Sequence, residues 1–168
     1  EGYLWDNENA KKAMKKMVTI CKQDNQKIAF TLSDLFCVDR HRDSFSELIT
    51  NNVDILFGNE EEICAMSESK SINDAINYAK SLNITCAITL AEKGSLIINN
   101  NNIIEIPAIT VDRVIDTTGA GDLFASGFLY GLCKNKELNI CGHMASIAAS
   151  EVISHYGARP LKKLSSLI

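Results

Sequence analysis

Apolar positions along the chain follow two different periods, one typical of helices and one typical of strands. Residues 9–23 carry apolar side chains at helical spacing opposite a row of lysines, which predicts an amphipathic helix with a solvated face. Residues 27–32 are almost continuously apolar and predict a buried strand. The same two patterns predict further helices at residues 41–51, 71–82 and 138–155, and further strands at residues 53–57, 84–90, 95–98 and 103–106. This alternation favours βαβ units around a largely parallel sheet.

Short polar segments follow several of the predicted strands. Residues 91–94 predict a turn between two strands, and the asparagines at residues 99–102 predict a hairpin turn. Polar residues also follow strands at 33–34 and 59–62, and residues 116–122 follow an extended segment that begins after Pro107. Ligands of open α/β sheets bind beyond the carboxyl ends of the strands. We therefore expect these segments, apart from the hairpin turn, to converge on one edge of the sheet as a binding site.

The composition sets limits on the class of protein. The chain has 168 residues, 46% hydrophobic and 23% charged, which suits a single globular domain over residues 1–168. The net charge is −4 with acids and bases interleaved, so no basic face indicates nucleic-acid binding. No apolar run approaches the ~20 residues that span a bilayer, and no signal peptide is evident. The composition predicts neither a nucleic-acid nor a membrane partner.

The cysteines and the first residues add two further expectations. Six cysteines occur without a Cys-x-x-Cys pair, and most lie in apolar runs. They are typical of small core residues in a reducing cytoplasm, which is the location we expect. The chain begins at Glu1, without an initiating Met and in or just after a predicted strand. We expect it to be the back part of a longer protein.

Residues 116–122 (DTTGAGD), called the glycine turn below, predict a tight turn that opens a helix. The first N–H groups of a helix are unpaired and carry partial positive charge, so they bind anions. Gly119 and Gly121 lack a Cβ and let a phosphate approach closely. A carboxylate at Asp122 would repel that phosphate, unless it orients or deprotonates a hydroxyl that attacks phosphorus. A lone Gly-x-Gly-Asp is more typical of an ordinary capped loop than of an active site.

The full glycine turn resembles the second signature of the PfkB (ribokinase-like) carbohydrate and nucleoside kinases. The resemblance implies an α/β, three-layer ribokinase-like fold with a largely parallel central sheet flanked by helices, of which this chain is the C-terminal nucleotide-binding part without the N-terminal half and β lid. It also implies ATP- and Mg²⁺-dependent phosphoryl transfer to a primary hydroxyl of a sugar or nucleoside. Asp122 would act as the base. The N–H groups of Gly119, Ala120 and Gly121 would stabilise the transferred phosphoryl group.

Asn59-x-x-Glu62 resembles a second motif of this family. The resemblance implies that both side chains act on Mg²⁺ through water, and magnesium does retain several waters when bound to protein. Glu60 and Glu61 have no such role and are expected to be exposed. A glutamate-rich helix start is also favoured by the helix dipole alone, which leaves a purely structural interpretation open.

Residues 89–94 resemble the family's Thr-x-Gly-x-x-Gly nucleotide loop, with Thr89 and Gly94 as the matching positions. Ala91 stands where the family has its first glycine. If that position requires a positive φ, Ala91 is mildly strained or the loop is reshaped. An ordinary strand-to-hairpin turn explains the same residues.

The resemblance implies further contacts in the last part of the chain. Asp116 and Thr118 would hold a monovalent cation such as K⁺ where the enzyme uses one, and Thr118 would also lie beside the nucleotide. Residues 154–159, where Gly157 is expected just after the helix end, lie where these kinases enclose adenine. Residues 2–6, 33–34 and 57–62 look like bacterial members described as adenosine kinase-like or sugar kinases. A homodimer is one expected assembly.

Two alternatives to this kinase remain open. One is a kinase of the same fold that acts on a vitamin precursor, although residues 59–62 and the predicted hairpin favour the sugar or nucleoside branch. The other is a nucleotide-binding module that has lost turnover, which Ala91 and the missing front half favour. The presence of Asp122 disfavours that module, because a site that binds a phosphate without turnover does not require a carboxylate beside it.

Overall fold

The computed structural model describes residues 1–167, which form helices on a five-stranded sheet. The strands are β1 (Ala29–Thr31), β2 (Ile55–Asn59), β3 (Thr85–Thr89), β4 (Ser95–Asn99) and β5 (Asn102–Ile106). The α-helices are α1 (Glu8–Gln23), α2 (Leu35–Asn52), α3 (Glu60–Met66), α4 (Ile72–Ser81), α5 (Ala120–Cys133) and α6 (Leu138–Val152). Short 3₁₀ helices span Gly2–Asp6, Ala91–Lys93 and Leu164–Ser166.

The sheet has the strand order β1-β2-β3-β4-β5 and is mixed. β1 and β2 are parallel, with Phe30 opposite Leu56. β3 joins β4 through residues 90–94, and β4 joins β5 through Asn100 and Asn101, where Asn100 has a φ of 54°. Links this short connect only antiparallel neighbours. The α/β class and both turns are confirmed, and the expectation of a largely parallel sheet is corrected to a mixed one.

The chain forms two compact units, and the first contains residues 1–88 and 98–102. Its core includes the rings of Trp5, Phe30 and Phe45, which meet edge to face with centroids 5.0 to 5.7 Å apart. Such contacts add to the stabilisation from burial. They hold the Gly2–Asp6 helix in place, and this 3₁₀ helix lies where the chain was expected to begin in or just after a strand.

The second unit contains residues 89–97 and the chain from residue 103 onward. Here α5 packs closely on α6 because the helices meet at small residues. A Cβ added to Gly127 would lie 2.7 Å from the Met144 carbonyl oxygen and 2.8 Å from the Ala145 Cα. Ala145 and Ala148 are fully buried. That residues 1–168 form one domain stays a prediction.

Three local expectations differ from the structure. α2 begins at Leu35 instead of residue 41, because the Asp34 carboxylate accepts the Cys37 N–H and caps the helix there. α6 ends at Val152, so Gly157, with a φ of 94°, lies in the segment beyond the helix and not at its end. The cysteines are all free, but only Cys37, Cys86 and Cys141 are buried.

Membrane spans were expected to be absent. Within residues 1–167, none of the helices combines the length and the apolar character needed to cross a bilayer.

Candidate active site

The expected site residues fall into two groups, one in each unit. Asn59 and Glu62 belong to the first unit, with Asp34 beside them. Thr89, Gly94 and the glycine turn belong to the second. Each group has its own geometry, and the convergence of all four strand-end segments on one edge stays a prediction.

Asn59 and Glu62 form a reciprocal capping box at the start of α3. The Asn59 side-chain oxygen accepts the Glu62 N–H at 2.8 Å. The Glu62 carboxylate accepts the Asn59 N–H at 3.0 Å and its side-chain amide at 2.8 Å. This arrangement satisfies two unpaired N–H groups at the helix start. The spacing of the motif therefore has a structural explanation that the resemblance alone did not reveal.

The Glu62 carboxylate is buried among other acids. Only 6% of the residue is exposed, and burial raises the pKa of Glu62 above its ordinary value. The Asn59 N–H opposes that rise, whereas the carboxylates of Asp34 and Glu61 add to it. A nearby cation would relieve both the burial cost and the repulsion. The oxygen-rich donor set therefore fits a magnesium ion held through water.

Tyr3 and Asp34 extend this group; residues 33–34 were expected at the binding edge of the sheet, whereas no motif indicated a role for Tyr3. The Tyr3 phenol hydrogen-bonds the Asp34 carboxylate, which raises the pKa of Tyr3 to about 12. Ser33, just before Asp34, has a φ of 75° and accepts the Tyr3 N–H on its hydroxyl at 3.4 Å. The end of β1 thus presents a second carboxylate close to Glu62. The only sequence signal for it was a polar pair after a buried strand.

The turn after β3 contains two residues with positive φ. Gly94 has a φ of 96°, and its amide donates to the Ala91 carbonyl at 3.1 Å. A Cβ on Gly94 would overlap the Ile106 carbonyl oxygen and lie 2.7 Å from the Ala108 nitrogen. Ala91 has a φ of 51°, so it adopts the left-handed conformation that a glycine would adopt at lower cost. The position does have a positive φ, and Ala91 carries the expected strain.

The glycine turn opens α5 as expected, with Gly119 as its N-cap at a φ of 80°. The first helical bond runs from the Leu123 N–H to the Gly119 carbonyl at 2.9 Å. The Ala120 N–H instead donates to the Thr117 carbonyl at 3.1 Å. Within residues 1–167, the N–H groups of Gly119, Gly121 and Asp122 have no backbone acceptor. These three N–H groups are the donors available to an anion. The expected donors were Gly119, Ala120 and Gly121; the Asp122 N–H is an additional one, and the Ala120 N–H is already hydrogen-bonded within the chain.

The open side of the turn lies at Gly121 and Asp122. A Cβ added to Gly121 would meet no atom within 4 Å, which leaves room for a ligand. Asp122 is exposed in the first turn of α5 and accepts no hydrogen bond from any side chain or amide of residues 1–167. Its carboxylate is therefore available to a hydroxyl group placed beside the unpaired N–H groups.

Asp116 ties the glycine turn to the segment after α6. One carboxylate oxygen accepts the Thr118 hydroxyl at 2.6 Å and the Thr118 N–H at 2.9 Å. The other accepts the Gly157 N–H at 3.0 Å. The Thr118 hydroxyl, followed by the Gly157 and Thr118 amides, lowers the pKa of Asp116 to about 2. Asp116 and Thr118 are thus in direct contact, and that they hold a monovalent cation stays a prediction.

The Asp116 contacts should weaken only in strong acid. A carboxylate whose pKa is lowered on folding contributes stability above its unfolded value, 3.8, and loses it as pH falls toward the folded value of about 2. In the complete gene product, the NMR shift of the Gly157 amide should hold its neutral value down to about pH 3. An Asp116→Asn variant should abolish the titration. A midpoint near 4 in the wild type would contradict the contacts.

Gly119 and Gly121 should respond differently to alanine. Gly119→Ala places a side chain at positive φ and 2.7 Å from the Ala158 Cβ, so we expect a loss of ~1–3 kcal/mol in unfolding free energy. Gly121→Ala is the matched control: it has open space and no positive φ, and we expect a change below ~1 kcal/mol. Urea unfolding of both variants measures the difference. Equal losses would contradict the described turn.

Within residues 1–167, one further group brings three metal-binding side chains together: Asp6, Cys37 and His41. Arg40 already donates to both oxygens of Asp6, at 3.0 and 2.7 Å, and His41 contacts the carboxylate at 2.7 Å. The carboxylate is thus satisfied without a metal. This group is an ion-pair cluster that fastens the Gly2–Asp6 helix to α2.

Comparison with known proteins gives a consistent result. Residues 2–164 match the pfkB family of carbohydrate kinases. The chain is similar to the structure of a probable sugar kinase from Rhizobium etli CFN 42, with 40% identity and a TM-score of 0.96 over 99% of this chain and 51% of that one. It is similar over the same shares to the structure of adenosine kinase from Sinorhizobium meliloti, with 38% identity and a TM-score of 0.96.

A curated relative gives the same family. The chain is 34% identical to an uncharacterized sugar kinase from Archaeoglobus fulgidus over 114 residues, which are 67% of this chain and 45% of that protein. The chain thus spans about half the length of the relatives it matches. Since the family match runs from residue 2 to residue 164, this chain belongs to the pfkB family of carbohydrate kinases.

Proposed function

We propose that the complete gene product transfers the terminal phosphoryl group of ATP to a primary hydroxyl of a sugar or nucleoside. The observation that carries the proposal is the start of α5. There, three unpaired N–H groups lie beside the exposed and unbonded Asp122 carboxylate. Donors for an anion together with a base for a hydroxyl match phosphoryl transfer better than simple phosphate binding.

In this proposal Asp122 accepts the proton of the attacking hydroxyl, or aligns that hydroxyl with phosphorus. The N–H groups of Gly119, Gly121 and Asp122 stabilise the negative charge on the transferred group. Alignment of the hydroxyl and electrostatic stabilisation suffice for catalysis, because the transition state of phosphoryl transfer is loose and the protein has little covalent chemistry to perform. A well-placed N–H donor contributes several kcal/mol in other enzymes, where removal of one such donor raises the activation free energy by about 3 to 4 kcal/mol.

The remaining residues serve the nucleotide. Mg²⁺, when bound, neutralises charge on the ATP phosphates. Asn59 and Glu62 orient its water ligands, and the buried position of Glu62 near Asp34 supports this assignment. Thr89, Gly94 and Thr118 contact the nucleotide. Asp116 and Thr118 also bind a monovalent cation where the enzyme uses one. We further propose that the full protein has the three-layer ribokinase-like fold and acts in the cytoplasm.

Two observations bear on the acceptor and on the alternatives. The 38% identity to the adenosine kinase from Sinorhizobium meliloti supports adenosine as the first acceptor to test. The 40% identity to a probable sugar kinase keeps sugars in the panel. Ala91 keeps the positive φ of a glycine, so its side chain has not reshaped the turn. This weakens the case for a binding module without turnover.

The test is ADP release by the complete gene product with Mg·ATP and a panel of adenosine, cytidine, ribose, fructose and 2-keto-3-deoxygluconate. We expect turnover with one acceptor well above the ATP hydrolysis measured without acceptor. Omission of Mg²⁺ should abolish it. Binding of ATP with no turnover on any acceptor would overturn the proposal in favour of a nucleotide-binding module.

A further inference from the structure

Near the end of α6 lies a buried carboxylate that the proposed mechanism does not use. Glu151 is only 6% exposed. One of its oxygens accepts the N–H groups of both Leu161 and Lys162 at 3.0 Å. The other oxygen lies 3.4 Å from His155 Nε2. Burying a carboxylate is costly unless it is hydrogen-bonded, so these amides compensate for its burial.

The segment that Glu151 binds is residues 153–162, called the C-terminal strap below. Its first residue, Ile153, accepts the Ile115 N–H at 2.8 Å. Its middle reaches the glycine turn, where the Gly157 N–H donates to Asp116 and Ala158 lies against Gly119. The strap is therefore fixed at α6, at the turn and, through Glu151, near its far end.

Apolar burial contributes little to holding the strap. Residues 156–162 are all exposed, with Tyr156 at 84% and Leu161 at 76% exposed. A segment with so few buried apolar contacts is held mainly by its polar contacts, and such segments open locally at low free energy. Glu151 supplies the only described side-chain contact to the Leu161 and Lys162 amides within residues 1–167.

We propose that Glu151 is a positioning residue that holds the C-terminal strap closed on the glycine turn and thereby sets the affinity for ATP. The proposal rests on the proposed kinase function, because it concerns the turn assigned to the ATP phosphates. In this proposal Glu151 acts through the strap and not on the substrate itself. Without Glu151, ATP must order the strap on binding, and this ordering costs entropy. The apparent Kd for ATP then rises in inverse proportion to the fraction of molecules whose strap is already closed.

The two variants Glu151→Ala and Glu151→Gln in the complete gene product test this role. Both amides reach the same oxygen of Glu151, so glutamine can accept both, whereas alanine accepts neither. We expect Glu151→Ala to raise the KM for ATP about tenfold with kcat at saturating ATP changed less than about threefold. Glu151→Gln should stay within about threefold of the wild type in both. Glu137→Ala, at the exposed start of α6, is the control and should leave KM unchanged.

A merely structural role for Glu151 gives a different result. Loss of folded protein lowers apparent kcat and leaves KM unchanged, and this outcome for Glu151→Ala would overturn the proposal. Hydrogen exchange without nucleotide provides a second readout: the Gly157, Leu161 and Lys162 amides should lose protection in Glu151→Ala and keep it in Glu151→Gln. Unchanged exchange in Glu151→Ala would also overturn the proposal. If the wild type turns over no acceptor, the kinase function fails, whereas the exchange data still decide whether Glu151 holds the strap.

Discussion

Replacing Asp122 by asparagine in the complete gene product should lower kcat at least about a hundredfold, as expected when a general base is removed. The Asp122 side chain is exposed and unbonded within the described chain, so the substitution removes a proton acceptor without breaking a structural contact. The KM for ATP should stay the same or fall, because a carboxylate repels the phosphates and an amide does not. Steady-state ADP release at saturating acceptor measures both parameters.

The control for this variant is Asp112→Asn, which changes another exposed carboxylate of the same unit outside the glycine turn. It should retain wild-type kcat, and both variants should unfold at the wild-type temperature. Wild-type kcat in Asp122→Asn would show that the assignment of the base is wrong. A raised KM with unchanged kcat would instead indicate that Asp122 only contributes to binding.

Replacing Gly94 by alanine should destabilise the protein by ~2–5 kcal/mol. The left-handed conformation at a φ of 96° costs a side chain ~1–2 kcal/mol. The added Cβ would also overlap the Ile106 carbonyl oxygen and crowd the Ala108 amide, and overpacking against the backbone costs ~1–3 kcal/mol more. Urea unfolding followed by far-UV circular dichroism gives the change in unfolding free energy.

Ala91→Gly is the matched control on the same turn, because it relieves strain where Gly94→Ala creates it. At a φ of 51°, glycine removes the left-handed penalty of ~1–2 kcal/mol. It also increases the conformational entropy of the unfolded chain, which lowers the unfolding free energy by ~0.4–1 kcal/mol. We expect Ala91→Gly to be neutral or stabilising by up to ~1.6 kcal/mol. A wild-type unfolding midpoint for Gly94→Ala, or a large loss for Ala91→Gly, would contradict the geometry of this turn.

The parts of the fold that depend on local chemistry were predictable from sequence. The glycine turn and the asparagine hairpin follow from residues that accept positive φ, as Gly119 and Asn100 do. The positive φ at Ala91 was considered only as a condition, because the sequence has an alanine where the family has a glycine and does not show which backbone conformation that alanine adopts. The start of α2 was missed, since Asp34 was interpreted as a strand-end polar residue and not as a helix cap.

Contacts between residues distant along the chain were not predictable. The Gly2–Asp6 helix depends on Trp5 packing against Phe30 and Phe45, which no local pattern indicates. The contact from Asp116 to Gly157 joins residues 41 positions apart. The capping box at Asn59 and Glu62 is a different case. It is local, but the same spacing fits a kinase motif, so the sequence pattern alone does not show that the two side chains cap a helix.

The most direct test of the central claim is to detect the phosphorylated acceptor itself by ³¹P NMR, with the complete gene product, Mg·ATP and the acceptor found in the panel. We expect one ADP and one phosphomonoester per ATP consumed in the wild type, and neither above background in Asp122→Asn. ADP accompanied by free phosphate alone, or product formation unaffected in Asp122→Asn, would contradict the assignment of residues 116–122 as the site of phosphoryl transfer.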